Sequence, residues 1–570
     1  MKDVYDVIVI GGGINGLTVA AYMAKCGQSV AVFESRNEVG TNCDTEEVMM
    51  PGVRCNLHAS GITPWMAPAY EELELERFGL EMITGHWGYF KPFKDGTVLC
   101  QHNYDFQKTC QSIDLISKKD GDTCRKIGNY FAQGTKLVDL FESLFYTPPN
   151  PKSFAKVAEI ISGVPGMPSN WSDMTGYHIA DMLFESDKLK CMIYDGMLEV
   201  AMSPWLKGIG SMGVVLFLFT GMGFPWASTT RGGSHGLPHS LYRSLLHYGG
   251  EVYQACPVTK IIVENGEAKG IVLGEESVYG ARKIMAKKAV VSNLTTQPTF
   301  LWLVGEENLS PEVAMAARMY DNEGEVLFTN YYAMTEPLNF KMFEWSNKNL
   351  DPSFQKEAYM FNFGMEDPAD YTRLMHCIAR GELPDPPIVV GGCFNYTTID
   401  PTQAPDGMHT VLTWANVPYN IRCWGDRKLK GPEDWDEIKE EYADLVENML
   451  AEYAPNIKTA VVDRYVHTPL DNTRRNQSQL SGSFSGGPCH IHQFYHNRPF
   501  PGCGAPRTPI KKLYITEVTW ARATYLLGGY NAAVVLGEDL GVRNQPWWNV
   551  RCLEPYIRWC KRNGREWRIA

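Results

Sequence analysis

A short apolar run, Val7-Ile8-Val9-Ile10, breaks into Gly11-Gly12-Gly13-Ile14-Asn15-Gly16 and passes at once into an alanine-rich stretch, Leu17 to Lys25. Four consecutive β-branched residues suit a strand buried on both faces. The stretch from Leu17 reads as a helix ended by Gly27, and Ser29 to Phe33 as a second strand closed by Glu34. In the G-x-G-x-x-G spacing, Gly11 permits the tight turn, Gly13 lets the backbone approach a pyrophosphate, and Gly16 lets the helix pack on the strand. Ile14 and Asn15 complete the turn into the helix, whose N-terminal N–H groups and partial positive charge face that pyrophosphate. Glu34, with Ser35 beside it, stands where an acceptor for ribose hydroxyls belongs, and a glutamate there argues against NADP. The expectation is a dinucleotide site. The stretch alone leaves FAD and NAD open, and a glycine-rich turn in an ordinary α/β domain is the plainer reading.

At about 100–200 residues per domain, a chain of 570 residues holds two or three. Its 44% hydrophobic content fits a globular protein with a large core. A net charge of −12 makes non-specific nucleic-acid binding an unattractive reading. The first strand begins within a few residues of Met1, so no signal peptide is read and a cytoplasmic location is expected. The 15 cysteines show no C-x-x-C pair and no zinc spacing, so they are read as reduced, buried thiols and no metal site is expected. Met212 to Ala227 is very apolar but shorter than the ~20 residues of a membrane span, and it holds Gly213, Gly221, Gly223 and Pro225. It reads as a buried helix or a pocket wall.

From about Tyr70 to Trp226 the pattern is mostly helical, with Ile113, Ile116, Ile127, Phe131, Leu137, Leu140 and Phe141 at helical spacing between Gln107 and Leu144. The bulky apolar groups of this region are read mainly as core, some as the lining of a long apolar substrate cavity. Pro257 to Val263 and Ala268 to Leu273 read as strands joined by an Asn265-Gly266 turn. Ala289 to Asn293 is a short buried strand. Val326 to Met334, Pro387 to Phe394 and Gly407 to Ala415 read as strands of another sheet, and Trp435 to Tyr453 as an amphipathic helix. The tail, Trp547 to Ala570, mixes tryptophans with arginines. It is either a helix lying on a membrane surface or one docked on the body or on a second copy of the chain in a homo-oligomer. Docking is the favoured reading.

Several motifs then follow in a telling order: Gly232-Gly233-Ser234-His235-Gly236-Leu237, a helix, Gly249-Gly250-Glu251-Val252, the hairpin, and Ala286 to Asn293. Later come His467-Thr468-Pro469-Leu470-Asp471-Asn472, Arg474-Arg475-Asn476, Arg498-Pro499-Phe500-Pro501-Gly502, Arg507-Thr508-Pro509-Ile510, Leu513-Tyr514-Ile515 and Gly528-Gly529-Tyr530-Asn531-Ala532-Ala533. Nearly the whole chain, in this order, resembles the phytoene-dehydrogenase-like flavoproteins, whose relatives include the amine oxidases and the Rab GDP-dissociation inhibitors. The resemblance implies an α/β fold: a Rossmann-like FAD-binding domain of the GR2 type, an inserted helical region, and a substrate domain of sheet plus helices. It implies FAD as the cofactor. It places the Val258 backbone at the adenine, Gly40 beside the ribityl and phosphate, and Asn293 at the cofactor edge of its strand. It places Gly529, Tyr530 and Asn531 at a helix N-terminus facing the flavin pyrimidine edge. His58 falls on the hairpin that passes the isoalloxazine, and a structural histidine is an equal reading. Thr41 and Asn42 depart from the family's Gly-Arg or Gly-Lys.

Another departure is Thr516-Glu517-Val518-Thr519-Trp520-Ala521-Arg522-Ala523-Thr524-Tyr525, where carotenoid-desaturase-like members carry Cys-Gly and then a glycine-rich run. Glu517 could replace an acid near the ribityl chain or phosphates. Trp520 and Tyr525 fall near the flavin ring, implying a smaller or more polar wall. Candidates for proton handling are His490, His492, Tyr495 and Tyr525, because imidazole titrates near neutrality and such groups suit acid–base work. Arg498 and Arg522 could hold a substrate carboxylate or carbonyl.

The expected division is a discontinuous FAD-binding domain (1–90, 231–300 and 467–545), a mostly helical cap (91–230), a substrate domain with mixed sheet (301–466) and a docking tail (546–570). The expected function is FAD-dependent dehydrogenation, or the reverse saturation, of a C–C bond in a small apolar or cyclic substrate. The alternatives are oxidation of a C–N bond and a non-catalytic lipid-binding escort protein of the same fold.

Overall fold

A computed structural model describes residues 1–223, 227–324, 326–504, 506–516 and 526–569. The first strand, Val4–Ile10, starts three residues ahead of the apolar run, and the first helix, Ile14–Lys25, starts directly after Gly13. Alternation along the strands feeds two separate cores. Val7, Val9, Val30 and Val32 pack with Leu17, Ala20 and Ala21 of the helix, whereas Ile8, Ile10, Ala31 and Phe33 pack with Ile261, Ile271 and Leu303. Burial on both faces is why these strands lack a polar side, each large apolar side chain contributing about 1.5–3 kcal/mol of transfer free energy.

Parallel pairing sets the order of this sheet. Val4–Ile10 lies between Val30–Phe33 and Arg282–Ser292; Glu251–Tyr253 extends it on one side and Leu513–Ile515 pairs with Arg282–Ser292 on the other. The hairpin Val258–Glu264 and Glu267–Leu273 joins antiparallel through the strand from Arg282. Its turn residues Asn265 and Gly266 both have positive φ, 52° and 72°, as the Asn-Gly signal requires.

A second sheet has seven strands in the order Val461–His467, Leu327–Met334, His409–Asn416, Val390–Asn395, Met360–Phe363, Trp87–Pro92, Val98–His102. The helix Trp435–Tyr453 covers one face, its Ile438, Tyr442, Val446 and Leu450 packing with Phe328, Tyr332 and Met334. The opposite face, with Tyr331, Leu412 and Trp414, belongs to the core shared with the first helix.

The structure adds detail to two readings of the sequence. The region read as mostly helical contains the strands Met82–Thr84, Trp87–Pro92 and Val98–His102. Asp95 and Gly96 close the hairpin between the last two: Asp95 accepts from the Thr97 N–H at 3.1 Å and Gly96 has φ 84°. The helical stretch from Gln107 to Leu144 is three helices, Phe106–Asp114, Lys118–Phe131 and Lys136–Phe145, because Asp105 and Ser117 cap new N-termini.

The apolar stretch after Met212 lies mostly within the helix Ile209–Gly223, and no described helix is long and apolar enough to cross a membrane. All 15 cysteines are free thiols. The tail docks on the chain's own body. Trp559 packs on Trp65 with ring centroids 4.4 Å apart, Tyr556 donates to the Asn103 carbonyl, and Arg558 and Arg562 pair with Glu71 and Glu76.

Candidate functional site

Register brings four strand ends to one level. Ile10 stands opposite both Phe33 and Ser292, and Ser292 opposite Ile515. The residues that follow them, Gly11, Glu34, Asn293 and Thr516, all line one cavity of about 650 Å³. That volume lies within the ~300–1,000 Å³ of cofactor and ligand sites, and the carboxyl edge of a doubly wound sheet is where such ligands bind.

The glycine turn is built by exclusion. Gly11 has φ 93°, open to glycine at little cost. A Cβ on Gly16 would sit 2.2 Å from the Gly11 carbonyl oxygen, and a Cβ on Gly13 would sit 2.7 Å from Asn293 Nδ2. Asn293 is itself fixed, its N–H donating to the Ile10 carbonyl at 2.8 Å and its Oδ1 accepting from Thr516 Oγ1 at 2.7 Å. Glu34, only 3% exposed, accepts from the Gly12 N–H at 2.7 Å with Oε2 and from the Arg36 N–H at 2.8 Å with Oε1. Each carboxylate oxygen has two lone pairs, so acceptor capacity remains for a ligand at the cavity wall.

His58 occupies another wall. Its Nε2 lies 2.9 Å from Asn472 Oδ1, and its Nδ1 lies 3.3 Å from Asp44 Oδ2. Both ring nitrogens are thus engaged by side chains of the protein. His467 Nε2 donates to the same Asn472 oxygen at 2.8 Å, and burial foremost pushes its pKa down to about 3. Burial works against the Asp44 carboxylate, but His58 and Arg475 beside it hold its pKa below the ordinary value. Phe484 packs between His58 and Trp414, with centroids 5.5 and 5.7 Å away, and gives the cavity an aromatic patch.

Of the residues read from the sequence as holding a cofactor, Gly11, Gly13, Ile14, Asn15, Glu34, Ser35, Gly40, His58, Val258 and Asn293 line this cavity. Gly16 supports the turn from behind. Gly529, Tyr530 and Asn531 are not among the residues that line this cavity. The Gly529 N–H donates to Asn15 Oδ1 at 3.0 Å, Tyr530 packs edge-on against Tyr22, and Asn531 Nδ2 donates to the Phe145 carbonyl. The glycines of that helix serve close packing: a Cβ on Gly529 would lie 2.4 Å from the Asn15 carbonyl.

His490, His492 and Tyr495 are likewise not cavity residues. His492 is exposed and His490 partly exposed. Tyr495 is buried, its hydroxyl donating to the Ser143 carbonyl and bonded to Ser153 Oγ. Arg498 donates to the backbone carbonyls of Ser485 and Gly486, at 2.9 and 3.1 Å, which orders the loop and not a substrate. Glu517, Trp520, Arg522 and Tyr525 lie outside the described residues.

Sequence reading did not single out Arg36, Trp302, Trp414, Arg475, Gln479 or Phe484 as site residues, yet all line the cavity. The Arg-Arg-Asn motif was the available signal for Arg475; the others sit on segments whose approach depends on tertiary packing.

The family of NAD(P)-binding Rossmann-like domains matches residues 9–73. A polypeptide of the limonene dehydrogenase of Castellaniella defragrans is 28% identical along 95% of this chain and 96% of its own. The chain is thus similar along nearly its whole length to a curated dehydrogenase. Prolycopene isomerase of Daucus carota is 24% identical over 85% of this chain and 72% of its own. Among solved structures, a triple mutant of putrescine oxidase with redesigned cofactor binding has the same fold, with a TM-score of 0.55 at 14% identity over 95% of this chain and 99% of its own. These similarities agree with the α/β fold and the glycine turn.

Proposed function

We propose that the chain is an FAD-dependent oxidoreductase that dehydrogenates a C–C bond of a small apolar or cyclic substrate, or saturates one in reverse. The observation that carries this reading is the convergence, on one cavity, of the Gly11–Gly16 turn, Glu34, the Val258 hairpin and the aromatic wall at His58 and Phe484. The residues fit the cofactor chemically. Asn42 Oδ1, Gln479 Oε1 and Arg475 Nε are buried polar atoms of cavity-lining residues with no hydrogen-bond partner among the described residues. Polar atoms left so in a buried site want a ligand. The segments that supply these residues, 1–90, 231–300 and 467–545, form the proposed cofactor domain; 91–230 is the proposed cap, 301–466 the proposed substrate domain and 546–570 the docking tail.

Bound there, the flavin would supply two-electron redox chemistry at a substrate carbon. The chain's own residues do the rest. Glu34 would accept the ribose hydroxyls. The turn at Gly13 and the N-terminal end of the helix Ile14–Lys25 would hold the pyrophosphate. The His58, Phe484 and Trp414 wall presents apolar surface and excludes water. Thr516 lines the cavity, so Glu517, next in the chain, is the proposed acidic contact to the cofactor. Tyr525 is the proposed proton-handling group. The relative named for limonene, a cyclic hydrocarbon, supports the substrate class.

The test is anaerobic reduction of the FAD-loaded chain by a panel of cyclic hydrocarbons, linear polyenes and amines. Bleaching of the flavin band by a hydrocarbon and not by amines is the expected result. Bleaching by amines alone overturns it in favour of C–N oxidation.

A further inference from the structure

Glu38, His235 and His239 meet on the surface beside the cofactor cavity, where no reading of the sequence expected a metal. Glu38 stands two residues ahead of the cavity-lining Gly40. His235 caps the helix Gly236–His247, and the four-residue spacing puts His239 on the same face. His239 Nε2 lies 3.3 Å from Glu38 Oε1, and His235 Nε2 lies 3.5 Å from the same oxygen. The two imidazole rings are 4.1 Å apart, and one donor atom from each of the three residues falls within 4.8 Å of the others.

Those spacings match a coordination sphere. Ligand atoms held tetrahedrally at the ~2.0–2.2 Å bond lengths of zinc stand about 3.4 Å apart. The parts are also held in place before any ion arrives. The Gly40 N–H donates to the Gly12 carbonyl at 3.0 Å, and Gly40 packs so closely on the helix that a Cβ would sit 2.8 Å from Pro238 Cγ.

We propose that Glu38, His235 and His239 bind a borderline divalent cation of the Zn²⁺ or Co²⁺ type through one carboxylate oxygen and two Nε2 atoms. Two imidazoles and a carboxylate suit such an ion and leave a fourth position open. His235 Nε2 now stands 3.0 Å from the Val39 carbonyl oxygen. On loading, the ring proton resides on Nδ1, and the Val39 oxygen or a water takes the remaining position. The ion ties the loop carrying Glu38 to the helix carrying both histidines. By binding only the folded chain it raises stability through mass action. The proposal does not depend on the flavin.

The experiment titrates the metal-stripped full chain with Zn²⁺ by calorimetry and with Co²⁺ by visible absorption, with thermal unfolding followed in parallel. Glu38→Gln and His239→Gln are the comparison proteins; the two side chains are 53% and 41% exposed. The wild type should take up one equivalent, give the intense bands of tetrahedral Co²⁺, and melt at a higher temperature with Zn²⁺. Either variant should bind at that site more than about tenfold more weakly, since losing even an outer-shell partner costs that much, and should lose the thermal shift. No uptake by the wild type, or the same uptake and shift in all three proteins, overturns the proposal.

Discussion

The Gly12 N–H donates to Glu34 Oε2 at 2.7 Å, which ties the glycine turn to the end of the neighbouring strand. The same carboxylate is the proposed ribose acceptor, so it both shapes the cradle and fills it. Glu34→Gln removes the charge and sets an amide NH2 against one of the two backbone donors, the Gly12 or the Arg36 N–H. FAD binding should weaken by about 1.5–3 kcal/mol, the worth of hydrogen bonds to a charged group, while far-ultraviolet circular dichroism stays unchanged. Isothermal titration with FAD measures it, and wild-type affinity would remove Glu34 from the site.

Gly13 and Gly16 should respond differently to alanine. The Cβ added at Gly16 meets a backbone oxygen at 2.2 Å, whereas the one added at Gly13 meets the end of the Asn293 side chain at 2.7 Å. A side chain can move and the strand's first turn cannot. Gly16→Ala should therefore lower stability by ~1–3 kcal/mol or more, the range of overpacked cores, and Gly13→Ala by less. Urea unfolding of the two variants gives the comparison.

This contrast shows what was legible in the sequence. Gly11, Gly13, Gly16 and Glu34 could be read because local sequence alone fixes the strand, turn, helix and strand that use them. The Asn265-Gly266 hairpin and the helix Trp435–Tyr453 were legible for the same reason. Trp302, Trp414 and Phe484 could not be read so: an aromatic residue in a core and one on a cavity wall look alike in one dimension, and only the folding of the second sheet onto the first separates them. The motifs of Tyr495 and Asn531 lie beside the cofactor segments in sequence, whereas tertiary packing sets their side chains on the Ser143 and Phe145 carbonyls, which one dimension does not show.

Lys91 and Asp195 form an ion pair at 2.7 Å with both side chains fully buried, joining the second sheet to the helical region. Burial pushes the Asp195 carboxyl up to about 6 in spite of Lys91. Removing one partner strands a charge in the core. Lys91→Met should cost about 3–5 kcal/mol, and the double variant Lys91→Met/Asp195→Leu should recover most of that loss. Thermal unfolding of the single and double variants decides this; equal losses in both would contradict it.

His102 gives a pH signature. Its Nδ1 accepts from the Tyr104 and Asp105 N–H groups at 3.3 and 3.0 Å, and burial foremost pushes its pKa down to about 4. The folded chain thus keeps this ring neutral while the unfolded chain protonates it near 6.5. Its contribution is fully present above about pH 6.5 and is lost as the pH falls toward about 4, at up to ~1.4 kcal/mol per pH unit. His102→Asn retains an acceptor but cannot titrate. Stability measured across that window should fall less steeply in the variant than in the wild type, and parallel curves would contradict the assignment.

The central claim is that the cavity at the carboxyl edge of the first sheet holds one FAD per chain. Reconstitute purified chain with FAD, remove the excess by gel filtration, and record the flavin absorbance per mole of protein for the wild type and for Gly13→Glu. The account predicts about one flavin retained per wild-type chain and essentially none in Gly13→Glu, whose carboxylate would fill the pyrophosphate position. Retention of no flavin by the wild type, or equal retention by both proteins, would contradict it.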